Sequence, residues 1–113
     1  PRRRRRPRKP LSWQRISPED AAKLMAARAP VLLDVRDAGS YAAAHIPGAI
    51  FIDNQSVQDF VSGADRNVPV LVYCYHGNSS QGASAWLSEK GFAEVYSLDG
   101  GFEVWRWNYP VET

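Results

Sequence analysis

The chain has 113 residues, of which 44% are hydrophobic and 23% are charged. This size and composition suit one compact domain with a buried core and are too small for two. No apolar stretch approaches a membrane span or resembles a cleavable leader, so we expect a soluble chain. A single cysteine excludes an internal disulfide, a paired-thiol redox motif and a multi-cysteine zinc site. We therefore expect a cytoplasmic protein without metal or cofactor.

Charge is distributed unevenly along the chain. Seven of the 14 basic residues lie before Pro10, so the other seven stand against 12 acidic residues and the remainder carries a net charge of −5. A block of like charges interrupted by prolines buries little and is expected to be disordered. We accordingly divide the chain into a basic arm or linker over residues 1–11 and a folded domain over residues 12–113.

The basic arm has three interpretations, namely a nucleic-acid patch, a segment that contacts acidic surfaces such as lipid, and a linker to a further segment. We favour the linker and expect no specific nucleic-acid binding. One variant of this hypothesis places the domain on the cytoplasmic side of a membrane protein, where basic clusters commonly flank a span.

The first half of the chain alternates short apolar runs with helix signals. Residues 13–16 predict a short edge strand, and Ser17 and Pro18 have the residue types of a helix cap and first position. That helix ends before Pro30. The following segments predict, in order, a buried strand at 31–35, a polar turn at 36–39, a short helix at 40–44, a strand at 50–52 and a capped helix at 56–61 that ends before Gly63.

The second half repeats this alternation. Residues 68–73 predict a strand, a helix through Trp86 follows and ends at Gly91, and residues 95–98 predict the last strand. The last helix carries Phe102, Trp105 and Trp107, which we expect to pack in the core. The pattern favours an α/β fold with a mostly parallel sheet of four or five strands and helices on both faces.

Polar residues lie at the carboxyl ends of three of the predicted strands, at 34–36, 74–80 and 99–101. Because sites in parallel sheets gather at the carboxyl ends of strands, we expect these segments to meet at one mouth. The middle segment is Cys74-Tyr75-His76-Gly77-Asn78-Ser79-Ser80, a turn from a strand into a helix. Unpaired N–H groups at a helix start favour an anion, and Gly77 and Asn78 allow the loop to curl around it. Cys74 should therefore ionise more easily than a free thiol.

Four further polar residues lie at or near the predicted mouth or in the turns beside it. Arg36 either steers anions toward the mouth or pairs with Asp37 or Glu103. His45 is expected to order the turn before Pro47 by hydrogen bonding. For His76 two roles are open: it contributes to the electrostatics of the pocket, or it faces solvent. A further residue, Asp34, should hold neighbouring backbone donors at its strand end.

Three ordered motifs make residues 16–107 resemble the rhodanese, or thiosulfate sulfurtransferase, family, and most closely its single-domain members. The motifs are Leu33-Asp34-Val35-Arg36-Asp37 with His45-Ile46-Pro47-Gly48-Ala49, the Cys74 to Ser80 loop, and Gly91-Phe92 with Val95-Tyr96-Ser97-Leu98-Asp99-Gly100-Gly101-Phe102 and Trp105. One departure is Ala44, where the family usually has glycine.

The resemblance implies that Cys74 takes the outer sulfur of thiosulfate as a persulfide and passes it to cyanide or to a cellular thiol such as thioredoxin. The N–H groups of residues 75–79 would then stabilise the anion, with hydroxyl donors from Ser79 and Ser80. Since no second cysteine can resolve the persulfide within the chain, double-displacement kinetics are expected.

Two other functions use similar residues. Cysteine phosphatases and arsenate reductases also place a thiolate in an anion loop, but phosphatases close that loop with arginine at the position of Ser80, and residues 74–89 contain no Lys or Arg. An interaction module or a persulfide carrier within a larger protein is the second alternative, and retention of Cys74 argues against a purely structural role.

Overall fold

A computed structural model describes residues 13–113, in which five strands alternate with five helices. The elements are β1 (Trp13–Ile16), α1 (Pro18–Arg28), β2 (Val31–Asp34), α2 (Ala38–Ala43), β3 (Ile50–Phe51), α3 (Ser56–Gly63), β4 (Val70–Tyr73), α4 (Ser79–Glu89), β5 (Val95–Leu98) and α5 (Gly101–Asn108). The basic arm predicted over residues 1–11 lies outside the described residues.

The five described strands form one sheet in the order β1-β5-β4-β2-β3, and every pairing is parallel. The predicted α/β fold is confirmed, with β1 at the expected edge. Strand β4 lies in the middle of the sheet, and all four of its residues are buried. The loop that follows β4 therefore starts from a central and completely buried strand.

Local capping determines where the helices begin. The Ser17 hydroxyl accepts from Asp20 N at 3.1 Å at the start of α1, as predicted. The polar turn predicted over residues 36–39 is partly wrong, because the Asp37 carboxylate accepts from Ser40 N at 2.8 Å and starts α2 at Ala38. Helix α3 also continues beyond the predicted end at residue 61 and includes Gly63.

Helices cover both faces of the sheet, and each face has its own apolar cluster beneath the helices. One cluster lies under α1 and α5 and includes Ala21, Leu71, Phe102 and Trp105. The other cluster lies under α3 and α4 and includes residues of β2, β4 and β5. The prediction that Trp107 packs in the core is wrong, since it is 75% exposed. It lies two positions after Trp105 and so projects from the opposite side of α5.

A segment near the end of the described chain returns to the turn after α2. His45 and Glu112 exchange two backbone hydrogen bonds of 2.8 Å, and the Glu112 carboxylate accepts from Gly48 N at 3.1 Å. The predicted ordering role of His45 is consistent with its ring, which is buried and hydrogen bonded to the Tyr41 carbonyl at 2.7 Å. Among residues 13–113, no helix is long and apolar enough to cross a bilayer.

Candidate active site

The loop after β4 and the start of α5 are joined at the carboxyl edge of the sheet. Phe102 N donates to the Cys74 carbonyl at 2.8 Å, and Glu103 N donates to the Tyr75 carbonyl at 3.1 Å. The first free N–H groups of α5 therefore bind the backbone of the cysteine loop. This contact brings together two of the three strand ends that the sequence predicted to converge.

Two glycines make this close approach possible. Gly101 has a φ of 62°, and a Cβ there would overlap the carbonyl oxygens of Cys74 and Tyr75. Gly77 has a φ of 91°, and a Cβ there would lie 2.9 Å from Gly100 N. Because both positions combine left-handed backbone with close backbone contacts, only glycine fits them without displacement of the loop.

The sulfur of Cys74 lies inside a curl of neutral donors. Gly77 N donates to Sγ at 3.2 Å and Ser80 N donates to it at 3.3 Å, while the Ser80 hydroxyl lies 3.4 Å away. Helix α4 begins at Ser79, so one of these N–H groups belongs to its first turn. The predicted anion nest therefore forms around the sulfur itself.

The surroundings of Cys74 lower the pKa of its thiol. Burial by itself would raise the pKa of the thiol, but hydrogen bonds from the Ser80 hydroxyl and from the N–H groups of Ser80, Gly77 and His76 outweigh it. The pKa of Cys74 is consequently lower than its ordinary value. A partly desolvated thiolate that is held by dipoles rather than by a counter-ion combines ionisation with nucleophilicity.

Arg36 lies beside the loop but is engaged by a different partner from those expected. Its Nε and Nη2 bind both carboxylate oxygens of Asp34, with an Nη2–Oδ2 distance of 2.6 Å, and Nη2 also donates to the Ala44 carbonyl. The pair is buried, with the Arg36 side chain 2% exposed and Asp34 fully buried. Asp34 also accepts from Arg36 N, as expected of a residue that holds backbone donors.

Aromatic rings surround the Arg36 guanidinium on the loop side. Its Cζ lies 4.1 Å from the centroid of the Phe102 ring and 5.4 Å from that of Tyr75. Arg36 and Tyr75 both line a cavity of about 230 Å³ at the foot of α5. Arg36 also lines a larger groove of about 540 Å³ between α3 and α4.

The remaining predicted loop residues lie on the outer side of the curl. Tyr75, His76, Asn78 and Ser79 are exposed, and the Tyr75 hydroxyl donates to the Asp37 carboxylate at 3.3 Å. The structure thus divides the loop into an inner set, Gly77 and Ser80, that contacts the sulfur and an outer set that faces solvent. Within residues 13–113, no group of three or more His, Cys, Asp or Glu side chains is arranged to hold a metal.

Sequence reasoning did not identify two contributors to this site. Gly101 appeared only as part of a motif, and its role as the close contact for the loop depends on α5 packing against it. Ser97 lies 17 residues from Ser80, yet the two hydroxyl oxygens are 2.8 Å apart. A polar residue at an inward-facing position of a buried strand was the available signal for Ser97.

Comparisons with known proteins agree with this geometry. Residues 17–107 match the family described as Rhodanese-like domain. Two proteins named thiosulfate sulfurtransferase GlpE, from Pseudomonas entomophila and Pseudomonas putida, are 57% and 54% identical over 101 residues, which cover 89% of this chain and 92% of each relative.

A solved structure has the same fold. The crystal structure of a rhodanese-related protein from Thermoplasma volcanium has a TM-score of 0.75 at 28% identity, over 88% of this chain and 97% of that one. Together with the five-stranded parallel sheet and the curled cysteine loop at its centre, these similarities confirm the resemblance found in the sequence. The chain belongs to the rhodanese family.

Proposed function

We propose that this protein is a thiosulfate sulfurtransferase that carries sulfur as a persulfide on Cys74. The observation that supports the proposal best is the set of neutral polar groups within 3.4 Å of the sulfur, namely the donors Gly77 N and Ser80 N and the Ser80 hydroxyl, which can donate once the sulfur is a thiolate. The name of the two Pseudomonas relatives supports the same activity.

In the first half-reaction, the Cys74 thiolate attacks the outer sulfur of thiosulfate. A new S–S bond forms to Cys74, the S–S bond of thiosulfate breaks, and sulfite leaves with the electron pair of that bond. The enzyme then carries an anionic persulfide. Preorganised N–H dipoles of the loop stabilise this anion as they stabilise the thiolate, with no reorganisation during transfer.

In the second half-reaction, a nucleophilic acceptor attacks the outer sulfur of the persulfide. Cyanide yields thiocyanate, a cellular thiolate such as that of thioredoxin yields a new persulfide, and in both cases the Cys74 thiolate leaves. Cys74 is the only cysteine of the chain, so the acceptor comes from outside it. The reaction therefore follows double-displacement kinetics, with sulfite released before the acceptor reacts.

Residues of the loop have separate roles in this proposal. Gly77 and Ser80 hold the charge on sulfur, while the exposed Tyr75, His76, Asn78 and Ser79 lie where the donor enters. The predicted contact between Arg36 and the donor stays a prediction. We expect its contribution to be weaker than that of a free arginine, because Asp34 neutralises its charge.

The test is intact mass spectrometry of the reduced protein after incubation with thiosulfate, before and after cyanide. We expect wild-type protein to gain one sulfur, about 32 Da, and to lose it to cyanide with release of thiocyanate. Cys74→Ala should show no adduct.

A sulfur adduct on Cys74→Ala would overturn the assignment of the nucleophile. Folded wild-type protein that gains no sulfur from thiosulfate would overturn thiosulfate as donor. A second incubation with a low-molecular-weight persulfide then tests the carrier alternative, because a carrier accepts sulfur from that compound without turning over thiosulfate.

A further inference from the structure

Three buried serines lie between α4 and β5, behind the cysteine loop. Ser80 and Ser84 occupy successive turns on the sheet-facing side of α4, and Ser97 faces them from β5. All three are at most 1% exposed. The Ser80 oxygen lies 3.4 Å from the Cys74 sulfur and 2.8 Å from the Ser97 oxygen, so the two hydroxyls form a short chain that ends on the sulfur.

The direction of this chain depends on the charge of the sulfur. A neutral thiol donates its proton to Ser80, which in turn donates to Ser97. A thiolate has no proton to give, so Ser80 donates to sulfur and its oxygen is free to accept from Ser97. Either serine can be the donor of their mutual hydrogen bond, and rotation of two hydroxyls is enough to exchange the two arrangements.

The two arrangements differ in strength. With a thiolate, both hydroxyl dipoles point toward the negative charge, and the bond from Ser97 polarises Ser80 as a donor. With a thiol, the same two bonds are between neutral groups and gain no such reinforcement. Removal of the Ser97 hydroxyl therefore destabilises the thiolate more than the thiol.

We propose that Ser97 is a positioning residue for sulfur transfer, which orients and polarises the Ser80 hydroxyl toward the Cys74 sulfur without contacting the substrate. This inference rests on the proposed role of Cys74 as the sulfur carrier. It gives the buried hydroxyl of Ser97 a role at a strand whose neighbours Val95 and Leu98 are buried and apolar.

Both half-reactions depend on this hydroxyl chain. At a pH below the pKa of the thiol, loss of Ser97 lowers the fraction of thiolate that attacks the donor. In the second half-reaction Cys74 is the leaving group, and a thiolate that is less stabilised leaves more slowly. The effect on acceptor turnover persists at high pH, where ionisation of the free enzyme is complete.

Charged groups around the loop do not replace this role. The titratable side chains of the loop and the elements around it are Tyr73 on β4, Tyr75 and His76 in the loop, Asp34, Arg36 and Asp37 at the end of β2 and after it, Glu89 on α4, Tyr96 on β5, Asp99 after β5, and Glu103 and Arg106 on α5. Among the described residues, the groups that hydrogen bond with the Cys74 sulfur are the N–H groups of His76, Gly77 and Ser80 and the Ser80 hydroxyl, and none of them is charged.

The test compares Ser97→Ala with Ser84→Ala, which removes an equally buried hydroxyl from the same layer. Within residues 13–113 the Ser84 oxygen has no hydrogen-bond partner, so its loss should leave Cys74 unchanged. Ionisation is followed by the ultraviolet absorbance of the thiolate, with the spectrum of Cys74→Ala subtracted. We expect Ser97→Ala to titrate at higher pH than wild type, and to react with iodoacetamide about two- to fivefold more slowly below its pKa.

A structural role for Ser97 would slow alkylation equally at all pH values, whereas a role through ionisation moves the titration and lets the rates converge at high pH. The variants Ser97→Thr and Ser97→Val have the same shape and differ only in the hydroxyl. Thr should retain the wild-type titration and Val should not, which keeps the test decisive if Ser97→Ala folds poorly.

The decisive experiment is a double-mutant cycle that combines Ser97→Ala with Ser80→Ala. Since Ser97 acts through Ser80, replacement of Ser97 in the Ser80→Ala background should not move the titration further. Equal shifts in both backgrounds, or no shift on Ser97→Ala or Ser97→Val, would overturn the proposal. These readouts need no sulfur donor, so they separate a failure of this inference from a failure of the proposed transferase activity.

Discussion

Asp34 is the last residue of β2, Cys74 follows the neighbouring strand β4, and both place an acidic group in a buried position. Asp34 is matched by a full positive charge, through the two-pronged ion pair with Arg36. The Cys74 sulfur is held only by N–H and O–H dipoles. A counter-ion fixes the carboxylate permanently, whereas neutral dipoles stabilise the thiolate and leave it able to react.

The comparison explains how one edge of the sheet combines rigidity with reactivity. The ion pair and its aromatic neighbours form the wall against which Tyr75 lies, with 5.4 Å between the Arg36 Cζ and the centroid of the ring. The loop that carries the sulfur is then built from backbone donors and one hydroxyl. The ion pair that stabilises the fold and the sulfur that reacts therefore lie at the ends of two different strands.

The largest expected effect is on the rate of sulfur transfer and follows from replacement of Cys74. Cys74→Ser keeps a small polar side chain within reach of Gly77 N and Ser80 N but removes the thiolate. We expect sulfur transfer to cyanide to fall by roughly three orders of magnitude or more, because the covalent route is lost. Circular dichroism should show an unchanged fold, and retention of full transfer would contradict the role of the cysteine.

The next largest effect is on stability and concerns the ion pair between Arg36 and Asp34. Arg36→Ala leaves the carboxylate of Asp34 buried without a counter-ion, and the free energy of unfolding should fall by about 3–5 kcal/mol. Arg15→Ala is the matched control, because it breaks an ion pair with Asp99 whose side chains are 62% and 37% exposed. That change should cost no more than about 1 kcal/mol. Equal losses in urea denaturation would show that burial does not distinguish the two pairs.

A third change disturbs the packing of α5 against the cysteine loop. Gly101→Ala places a Cβ against the carbonyl oxygens of Cys74 and Tyr75, in a left-handed conformation. We expect a loss of about 1–3 kcal/mol in the free energy of unfolding and a lower rate of sulfur transfer.

Gly82→Ala provides the control for that change, since nothing lies within 4 Å of its Cβ position in α4. It should increase the free energy of unfolding by about 0.5–1 kcal/mol, because alanine is favoured over glycine inside a helix. Similar behaviour of the two variants would argue against close packing of α5 on the cysteine loop.

The smallest effect concerns pH. Hydrogen bonds from Ser80 and Gly77 lower the pKa of Cys74 in the folded protein, so the fold stabilises the thiolate relative to the unfolded chain. This contribution is fully present above the pKa of the unfolded thiol and is lost as the pH falls through the folded value. The thiolate absorbance of native protein should therefore appear at lower pH than that of protein in urea. Titration at the same or a higher pH would contradict the stabilisation.

Much of this architecture was accessible from local sequence signals. The edge strand, the cap at Ser17 and the alternation of strands with helices depend on neighbouring residues, and the structure confirms them. The curl around Cys74 was predicted for the same reason, since the donors Gly77 and Ser80 lie within six residues of the sulfur. The identification as a member of the rhodanese family followed from motifs that are themselves short segments.

Tertiary packing decided the features that join distant segments. The partner of Arg36 is Asp34 because both side chains are buried together, whereas Asp37 is exposed and Glu103 only half-buried, although sequence spacing allowed either of them. Packing also determined that Ser97 meets Ser80, that Gly101 receives the loop carbonyls and that Trp107 faces solvent. Local conformational preferences act over a few residues, whereas the polarity of a buried site depends on which strand and helix ends the fold brings together.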